Sequence, residues 1–235
     1  MTTKVVPQEV IGMKSTKKVV ILGTGGNSID ILDTINDINS QTLRDVYECI
    51  GFLDDNQSIW GNFIHGVKVL GPLVYAKELK NCYFVNGIGS PSNFWKKESI
   101  ILKTSIPVEN FETIIHPSAS ISKMARIGSG TVVFQNVTIT SNVHIGNHVI
   151  ILPNSVISHD DVIDDYTCIT GGVCISGGVK VGKSCYLGSN STIIGNIEIG
   201  NCCLIGMGSV VLENVAHNSV LVGNPARFLR YIIEE

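Results

Sequence analysis

The sequence predicts a small parallel α/β domain followed by a solenoid of short strands, and three observations support this fold class. Aliphatic residues recur at every sixth position from Ile115 to Val211, apolar runs alternate with helical segments before that stretch, and a glycine-rich turn follows the first apolar run. A period of six fits neither a helix nor an alternating strand. Stacked units of strand and turn produce such a period, so the chain is predicted to change fold near residue 114.

Composition and charge narrow the class of protein. The chain of 235 residues is long enough for two domains, and its net charge of −3 gives no reason to expect nucleic acid. No apolar run approaches the roughly 20 residues of a membrane helix, and the first residues lack the apolar core of a signal peptide. The seven cysteines include no CxxC pair, which favours buried free thiols over disulfides or zinc ligands. We therefore expect a cytoplasmic protein that binds neither nucleic acid nor a membrane.

The amino-terminal part alternates strand-like and helix-like segments, which is typical of a parallel sheet covered by helices. Residues 1–16 form a polar extension to which no structure is assigned. The elements predicted after it are, in order, a strand, glycine turn and helix across 17–38, a strand at 47–53, a short strand at 66–70, a helix at 72–79, a strand at 82–87, a helix at 92–103 and a last strand at 109–113.

The solenoid is predicted from the aliphatic positions, by which we mean every sixth residue from 115 to 211. Their side chains are expected to point inward, with a small residue two positions earlier and a glycine often one position later to ease each turn. In a three-sided coil of such units, each residue stacks on the one three units before it. The tail from Gly223, with the sequence GNPARFLRYIIEE, is expected to cap the open end.

The glycine turn is the first candidate site. It lies between a strand and a helix, where glycines let the backbone approach a ligand and the helix amino terminus favours an anion. The residues predicted to bind a phosphate or nucleotide are Gly23, Gly25, Gly26 and Asn27, with Asp54 and Asp55 after the second strand as ribose ligands. Ser28 stands where a third fingerprint glycine would fall. A tight turn without a ligand is the alternative, and an NAD-dependent reaction is disfavoured because a solenoid offers little substrate domain.

The segment Ser158-His159-Asp160-Asp161 is the second candidate site, because it interrupts the repeat with charged residues. A histidine can accept a proton near neutral pH, and an adjacent carboxylate can orient it. Stacking by full coils places Gly177 and then Gly195 above His159, which leaves open space and bare backbone N–H groups beside the base. A solvated surface histidine is the alternative. His144 and His148 do not suggest a metal site, since Val108 stands two coils before His144 where a third histidine would be needed.

These motifs together resemble a known family. The order of GTGGNS in an α/β domain, then HPSASI, then hexapeptide repeats containing SHDDVIDD, then GNPAR, resembles bacterial sugar O-acyltransferases of the sialic acid O-acetyltransferase family. That family includes N-acetyltransferases acting on nucleotide-linked 4-amino-4,6-dideoxy sugars, such as UDP-N-acetylbacillosamine N-acetyltransferase. The resemblance covers residues 17–227. It implies a Rossmann-like domain, a left-handed β-helix, a homotrimer with active sites between subunits, and acetyl-CoA as donor without a metal.

The resemblance also implies roles for individual residues. His159 matches the general base, Asp160 the acidic residue beside it, and Gly177 a glycine whose N–H faces the acyl oxygen; Gly177 and Gly195 then border the cofactor. Cys168 stands at the cofactor in place of a second histidine that, in the family, contacts the thioester carbonyl. Asn27 replaces the histidine that frequently ends the glycine turn.

The resulting hypothesis is acetyl transfer from acetyl-CoA to the 4-amino group of a nucleotide-activated amino-dideoxy sugar, in a surface glycan pathway. Two alternatives stay open, namely O-acetylation of a sugar hydroxyl such as that of sialic acid, and a catalytically idle trimeric scaffold that binds nucleotide. The predicted organisation is an extension at 1–16, a nucleotide-sugar-binding domain at 17–113, a β-helix acyltransferase domain at 114–214 and a capping tail at 215–235.

Overall fold

The structure, a computed structural model, describes residues 15–232. The predicted extension therefore lies outside the described residues except for Ser15 and Thr16, as do the last three residues of the tail. The described chain forms an α/β domain followed by a left-handed parallel β-helix, so the predicted fold class is confirmed. No helix within residues 15–232 is long and apolar enough to cross a membrane.

The amino-terminal sheet has five strands in the order β3-β4-β2-β1-β5. These strands are β1 (Lys17–Leu22), β2 (Tyr47–Leu53), β3 (Phe63–Ile64), β4 (Val67–Gly71) and β5 (Tyr83–Asn86). Four strands are parallel, and β3 pairs antiparallel with β4. The apolar residues Val19 to Leu22 of β1 are fully buried, because β1 lies between β2 and β5 and is covered on both faces.

The first helix of this domain is as long as the sequence predicts, but the later ones are shorter. They are α1 (Gly26–Ser40) and α2 (Lys97–Leu102), with 3₁₀ turns at Gln57–Ile59, Leu73–Glu78, Phe94–Lys96 and Val108–Asn110. The helix predicted at 72–79 is thus a 3₁₀ segment, and the one at 92–103 is a 3₁₀ turn continued by α2. The strand predicted at 109–113 is wrong, since a 3₁₀ turn begins after Pro107 and only Phe111 forms a bridge, to Phe84.

The β-helix is built from two-residue strands that pair with the third strand before and the third strand after, as the spacing predicts, except that the strands of the first and last coils have such a partner on one side only. For example, Ile139 pairs with both Ile121 and Ile157. The strands β6 to β22 are, in order, Ile114–Ile115, Ser120–Ile121, Arg126–Ile127, Val132–Val133, Thr138–Ile139, His144–Ile145, Ile150–Ile151, Val156–Ile157, Val162–Ile163, Cys168–Ile169, Cys174–Ile175, Lys180–Val181, Tyr186–Leu187, Thr192–Ile193, Glu198–Ile199, Leu204–Ile205 and Val210–Val211. Three parallel sheets result: sheet one holds β7, β10, β13, β16, β19 and β22; sheet two holds β8, β11, β14, β17 and β20; sheet three holds β6, β9, β12, β15, β18 and β21.

The aliphatic positions form the core of the β-helix. From Val133 to Val211 all of them are buried, and most are fully inaccessible. Ile121 and Ile127 are partly buried and Ile115 is 38% exposed, because the first coil has no coil beneath it. The predicted inward direction is therefore confirmed for all but the first coil.

The glycines that follow aliphatic positions have a different role from the one predicted. The left-handed backbone of each turn falls three residues after the aliphatic position, as at Asn142, Asn154 and Asn190, where φ is 58°, 63° and 58°. Asparagine tolerates this conformation. The glycine after the aliphatic position instead permits close stacking of coils: a Cβ on Gly188 would lie 2.6 Å from the Ile205 carbonyl oxygen of the next coil.

Sheet three carries the α/β domain on its outer face. The residue before each aliphatic position points outward, and in this sheet Ile114, Val132 and Ile150 are apolar and buried. They join one cluster with Ile31 of α1 and other core residues of the α/β domain. The outward residues of sheet two include arginine, histidine, lysine and glutamate, and those at β8, β11, β17 and β20 are exposed. The polarity of the outward-pointing residues thus determines which sheet of the β-helix the α/β domain covers.

The tail adds two strands to sheet three. β23 (Ser219–Val222) pairs parallel with β21, and β24 (Arg227–Tyr231) pairs antiparallel with β23. Ala226 between them packs on the core of the last coil.

Candidate active site

A cleft of about 390 Å³ opens at the carboxyl ends of β1 and β5. It brings together most of the predicted nucleotide ligands, since Gly23, Gly25, Gly26, Asn27 and Asp54 all line it. The helix α1 begins at Gly26, which lines the cleft, so the first amides of α1 lie there. Gly25 occupies the N-cap position and has no side chain that could accept hydrogen bonds from these amides. Unpaired amides at the start of a 15-residue helix attract an anion such as a diphosphate.

Hydrogen bonds fix the side chains at the rim of this cleft. The Thr24 hydroxyl donates to Asp54 Oδ2 at 2.7 Å, and the Asn56 amide donates to Asp54 Oδ1 at 2.9 Å. The Asn27 amide group donates to the Gly89 carbonyl at 3.1 Å, which holds α1 against the chain that follows β5. One carboxylate is thus held beside the glycine turn, where it can accept hydrogen bonds from sugar hydroxyls.

Asp55 is placed differently from Asp54. Its carboxylate accepts the Leu73 amide at 2.9 Å and lies 3.9 Å from Lys103 Nζ. It borders an adjoining cavity of about 270 Å³ that shares Gly23, Asp54, Ile88 and Asn93 with the cleft but not the amino terminus of α1. Asp54 therefore lies in the cleft at the start of α1, whereas Asp55 lies in the adjoining cavity.

Several residues that line the cleft were missed from the sequence. They are Gly87, Ile88, Gly89, Ser90, Pro91 and Asn93 after β5, and Tyr186 from β18 of the β-helix. A Cβ on Gly87 would collide with the Ser28 side chain, so glycine is required where β5 ends against α1. The signal available was topological, because the carboxyl ends of neighbouring parallel strands share one edge. Nothing in the local sequence marks Tyr186.

His159 and Asp160 form an oriented pair on the surface of the β-helix. His159 Nδ1 lies 2.8 Å from Asp160 Oδ2, and their side chains are 65% and 57% exposed. Asp160 adopts φ of 64°, and its Oδ1 accepts a hydrogen bond from the side-chain amide of Asn142 at 3.1 Å. The hydrogen bond with His159, followed by that with Asn142, lowers the pKa of Asp160. A carboxylate on Nδ1 favours the tautomer in which Nε2 carries the lone pair and can accept a proton.

The imidazole lies directly over Gly177, as the stacking prediction requires. A Cβ on Gly177 would lie 2.5 Å from Cε1 and 2.6 Å from Nε2 of His159. Gly178 donates to the His159 carbonyl at 2.9 Å, and Asn196 donates to the Gly177 carbonyl at 3.1 Å, so residues 159, 177 and 195 form one column. Within residues 15–232 the Gly177 N–H makes no hydrogen bond, so it is available to a ligand oxygen.

Gly195 is the next residue in this column. A Cβ there would lie 2.8 Å from the Gly177 carbonyl oxygen, so glycine keeps the two turns close together. The column therefore presents a base and then two glycines with no side chains between them. Such a surface can accept a flat or narrow group, such as a thioester, beside His159.

Asp161 follows this pair but is directed into the core. It is fully buried, and burial raises its pKa to about 7. Its Oδ1 accepts the Val179 amide at 2.8 Å, while Oδ2 has no hydrogen-bond partner among the described residues. A buried carboxyl group with a raised pKa next to a candidate base is typical of functional sites.

Cys168 lies apart from His159. It is an outward residue of sheet three, 2% exposed, and its Sγ lies 3.5 Å from Nζ of the fully buried Lys97 of α2. Burial lowers the pKa of Lys97. The structure thus places this predicted cofactor contact under the α/β domain of its own chain, whereas His159 follows β13 of sheet one.

The two histidines considered as metal ligands, His144 and His148, lie in different surroundings. His148 is buried, stacks on Tyr166 and meets the edge of Phe111, and burial followed by the charge of Lys97 lowers its pKa to about 4. His144 is exposed and lies 3.0 Å from the Asn142 carbonyl. Within residues 15–232 no group of three or more metal-ligating side chains is found.

Comparison with known families agrees with both parts of this architecture. Residues 18–98 match the family described as PglD N-terminal domain, and residues 178–213 match bacterial transferase hexapeptide repeats. The resemblance drawn from the sequence motifs is confirmed for these two stretches of the chain. A comparison with curated proteins finds no match.

Solved structures share the fold over nearly the whole chain. The acetyltransferase domain of PglB from Neisseria gonorrhoeae FA1090 in complex with acetyl coenzyme A is 22% identical, with a TM-score of 0.79, covering 92% of this chain and 100% of that one. A mutant of perosamine N-acetyltransferase from Caulobacter crescentus, in complex with CoA and GDP-perosamine, is 22% identical with a TM-score of 0.78, covering 92% and 98%. WeeI from Acinetobacter baumannii AYE is 23% identical with a TM-score of 0.76, covering 91% and 100%.

Proposed function

We propose that this protein transfers an acetyl group from acetyl-CoA to an amino group, at C4, of a nucleotide-activated amino-dideoxy sugar. The observation that carries the proposal is the His159 imidazole, oriented by Asp160 and lying over the bare Gly177 amide. This arrangement supplies a base and an oxyanion donor within one column, which are the two groups that acyl transfer from a thioester requires. The thioester is already an activated acyl donor, so the proposal requires no metal.

The chemical step follows from these positions. The neutral amine attacks the thioester carbonyl carbon, and His159 Nε2 accepts the proton that the nitrogen loses. The Gly177 N–H donates a hydrogen bond to the oxygen as it gains negative charge, a contact typically worth about 3 kcal/mol. When the carbon–sulfur bond breaks, the coenzyme A sulfur leaves and receives from His159 the proton that the amine lost. Asp160 stabilises the positive charge on His159 between these events.

The cleft of the α/β domain supports a nucleotide-linked acceptor. Gly25 and Gly26 at the start of α1 suit a diphosphate, and the Asp54 carboxylate suits hydroxyl groups of a ribose or sugar. Two structural neighbours were solved with ligands of these kinds, namely acetyl coenzyme A, and CoA with GDP-perosamine. These ligands of the neighbours, together with the local chemistry of the cleft, support the proposed donor and acceptor classes.

The proposal includes a homotrimer with active sites between subunits. Within one chain the cleft contacts the β-helix at Tyr186 of sheet three, whereas His159 follows β13 of sheet one. His159 therefore does not line the cleft of its own chain. A neighbouring subunit that presents its cleft toward this His159 would complete the site. Sedimentation or light scattering tests this, and a monomeric active enzyme would contradict it.

The decisive experiment offers acetyl-CoA with a panel of nucleotide-linked amino sugars and follows release of the free thiol. We expect turnover with a 4-amino sugar and none with the matching 4-hydroxy sugar. Turnover of hydroxyl acceptors alone would replace the proposal by O-acetylation. Binding of nucleotide sugar without turnover of any acceptor would favour the idle scaffold.

Substitution of the base tests the mechanism. His159→Ala should lower kcat by at least about 100-fold, because general base catalysis contributes factors of this size. His65→Asn is the matched control, since His65 is an exposed histidine with φ of 47°, a conformation that asparagine tolerates. Near-normal turnover by His159→Ala, with the control also active, would contradict the assignment of the base.

A further inference from the structure

Asp161 occupies a position that uncharged residues fill in the other coils. Two residues before each aliphatic position the side chain enters the core, and at the stacked neighbours 143 and 179 it is valine. Asp161 is nevertheless fully buried at this position, and Oδ2 has no partner among the described residues. Because an orphaned buried oxygen is costly, a proton on Oδ2 that can be donated would remove the penalty.

Threonines at the equivalent position show which acceptor such a proton would meet. Thr131 accepts the amide of Val149 in the next coil at 3.1 Å and donates to the carbonyl of Gly146, three positions before Val149, at 2.8 Å. Thr167 repeats the pattern, accepting the Cys185 amide at 3.0 Å and donating to the Gly182 carbonyl at 2.9 Å. The side chain at this position therefore links two coils through one accepted and one donated hydrogen bond.

Asp161 already makes the accepted bond of this pattern. Its Oδ1 accepts the amide of Val179 in the next coil at 2.8 Å. The carbonyl three positions before Val179, which corresponds to those of Gly146 and Gly182, belongs to Ser176. An ionised carboxylate cannot donate to that carbonyl, and its negative charge would repel the carbonyl oxygen, whereas a protonated carboxyl reproduces both bonds of threonine.

The Ser176 carbonyl belongs to the same peptide group as the Gly177 N–H. This is the amide that lies beside His159 and makes no hydrogen bond within the described chain. A donor on the carbonyl fixes the plane of the peptide group and polarises its N–H, since hydrogen bonds in a chain strengthen one another.

We propose that Asp161, in its protonated form, is a positioning residue that orients and polarises the Gly177 amide by donating a hydrogen bond to the Ser176 carbonyl. This inference rests on the proposed function, because it assigns the Gly177 amide to the acyl oxygen. Asp161 does not touch the substrate and acts through the peptide group that does.

The proton on Asp161 makes the effect dependent on pH. Burial raises its pKa to about 7, against the hydrogen bond from the Val179 amide, the nearby Ser158 N–H dipole and the attraction of His159, while the charge of Asp160 raises it further. His159 and Asp160 are the titratable groups that act on it, since Val143 and Val179, stacked on either side, are apolar. As pH rises through about 7, Asp161 loses its proton and the Gly177 amide loses its support. We therefore expect kcat to fall above about pH 7 because Asp161 ionises, and not through the base His159.

Three uncharged substitutions test this. Asp161→Asn and Asp161→Thr keep one acceptor and one donor at every pH, whereas Asp161→Val has the shape found at positions 143 and 179 but no donor. We expect the asparagine and threonine variants to keep kcat within about threefold of the wild-type maximum and to lose the alkaline decline. The valine variant should lose on the order of tenfold in kcat at every pH with an unchanged KM for acetyl-CoA, a fraction of the effect of removing an oxyanion donor outright.

Two outcomes would overturn the inference while leaving the proposed function intact. One is a valine variant as active as the threonine variant across the pH range, and the other is an alkaline decline that persists in the asparagine and threonine variants. Failure of the wild-type enzyme to acetylate any nucleotide sugar would instead refute the proposed function. A readout without substrate separates these cases: the ¹⁵N shift of the Gly177 amide should show one titration step more in the wild-type protein than in Asp161→Thr, and equal titration curves would refute the link.

Discussion

Replacing Gly177 by alanine is the sharpest test of the site, because the structure fixes the size of the perturbation. The new methyl carbon would lie 2.5 Å from Cε1 and 2.6 Å from Nε2 of His159. Unbonded carbons separate by about 3.5–4.0 Å, so the ring must retreat by about 1 Å. The imidazole can move, since it is 65% exposed. The fold should therefore survive while the base leaves its place.

The magnitudes for Gly177→Ala follow from these distances. A displacement of about 1 Å in a catalytic group can cost on the order of 100-fold, which is the loss of kcat we expect. The φ of Gly177 lies outside the left-handed region, so alanine introduces no backbone strain and should change the unfolding free energy by less than about 1 kcal/mol. The hydrogen bond between His159 and Asp160 should weaken as the ring moves.

The assay compares kcat by thiol release with urea unfolding of the same preparations. Gly171→Ala is the matched control, because a Cβ there meets only the Pro153 carbonyl oxygen at 3.5 Å, an ordinary contact. Wild-type kcat in a well-folded Gly177→Ala protein would refute the claim that His159 works from its position over Gly177. Unfolding of that variant would refute the claim that the ring can move aside.

Two further predictions concern the cleft and the buried carboxyl. Asp54→Asn should raise KM for the nucleotide sugar on the order of tenfold and leave KM for acetyl-CoA unchanged, because Asp54 lines the α/β cleft and not the column of His159; equal effects on both constants would count against the assignment of this cleft. Asp161 has a raised pKa, so the folded state holds its proton longer than the unfolded state, and stability falls as pH rises from about 4 to about 7 and then levels off. Asp161→Thr should lack this decline and be more stable than the wild-type protein at pH 7 by roughly 2–4 kcal/mol, because the rise in the Asp161 pKa from 3.8 to about 7 sets this scale. Parallel pH profiles of urea unfolding for the two proteins would contradict it.

The β-helix could be predicted closely because the six-residue period of aliphatic residues repeats in every coil. Each aliphatic position is fixed by burial alone, so counting by single units locates the strands and counting by three units locates the stacked columns. The α/β domain was harder where elements are short. β3 has two residues and exists because it pairs with β4, and the segment at 109–113 bends after Pro107; neither fact is visible in a local pattern of hydrophobicity.

The stacking of His159 on Gly177 followed from the same count, but the role of the buried residue behind them did not. The sequence showed that Asp161 stands at a small position, whereas its role depends on hydrogen bonds between coils that only the structure displays. Cys168 illustrates the opposite limit. The resemblance places it with His159 at the cofactor, whereas within one chain the two residues belong to different faces of the β-helix. A comparison of the outward residues in sets of three would have identified the apolar face.

The stacking of every third strand restricts how this chain can change in length. An insertion or deletion of one strand-and-turn unit in the β-helix would keep every later aliphatic residue in the core, yet it would move each later outward residue to the next face. Tyr186 would leave the rim of the cleft, and Cys168 would leave its position beneath Lys97. Only whole coils, each made of three such units, can be gained or lost without separating these surfaces. Divergence within this architecture should therefore proceed in steps of one full coil, and shorter changes should accumulate in the turns.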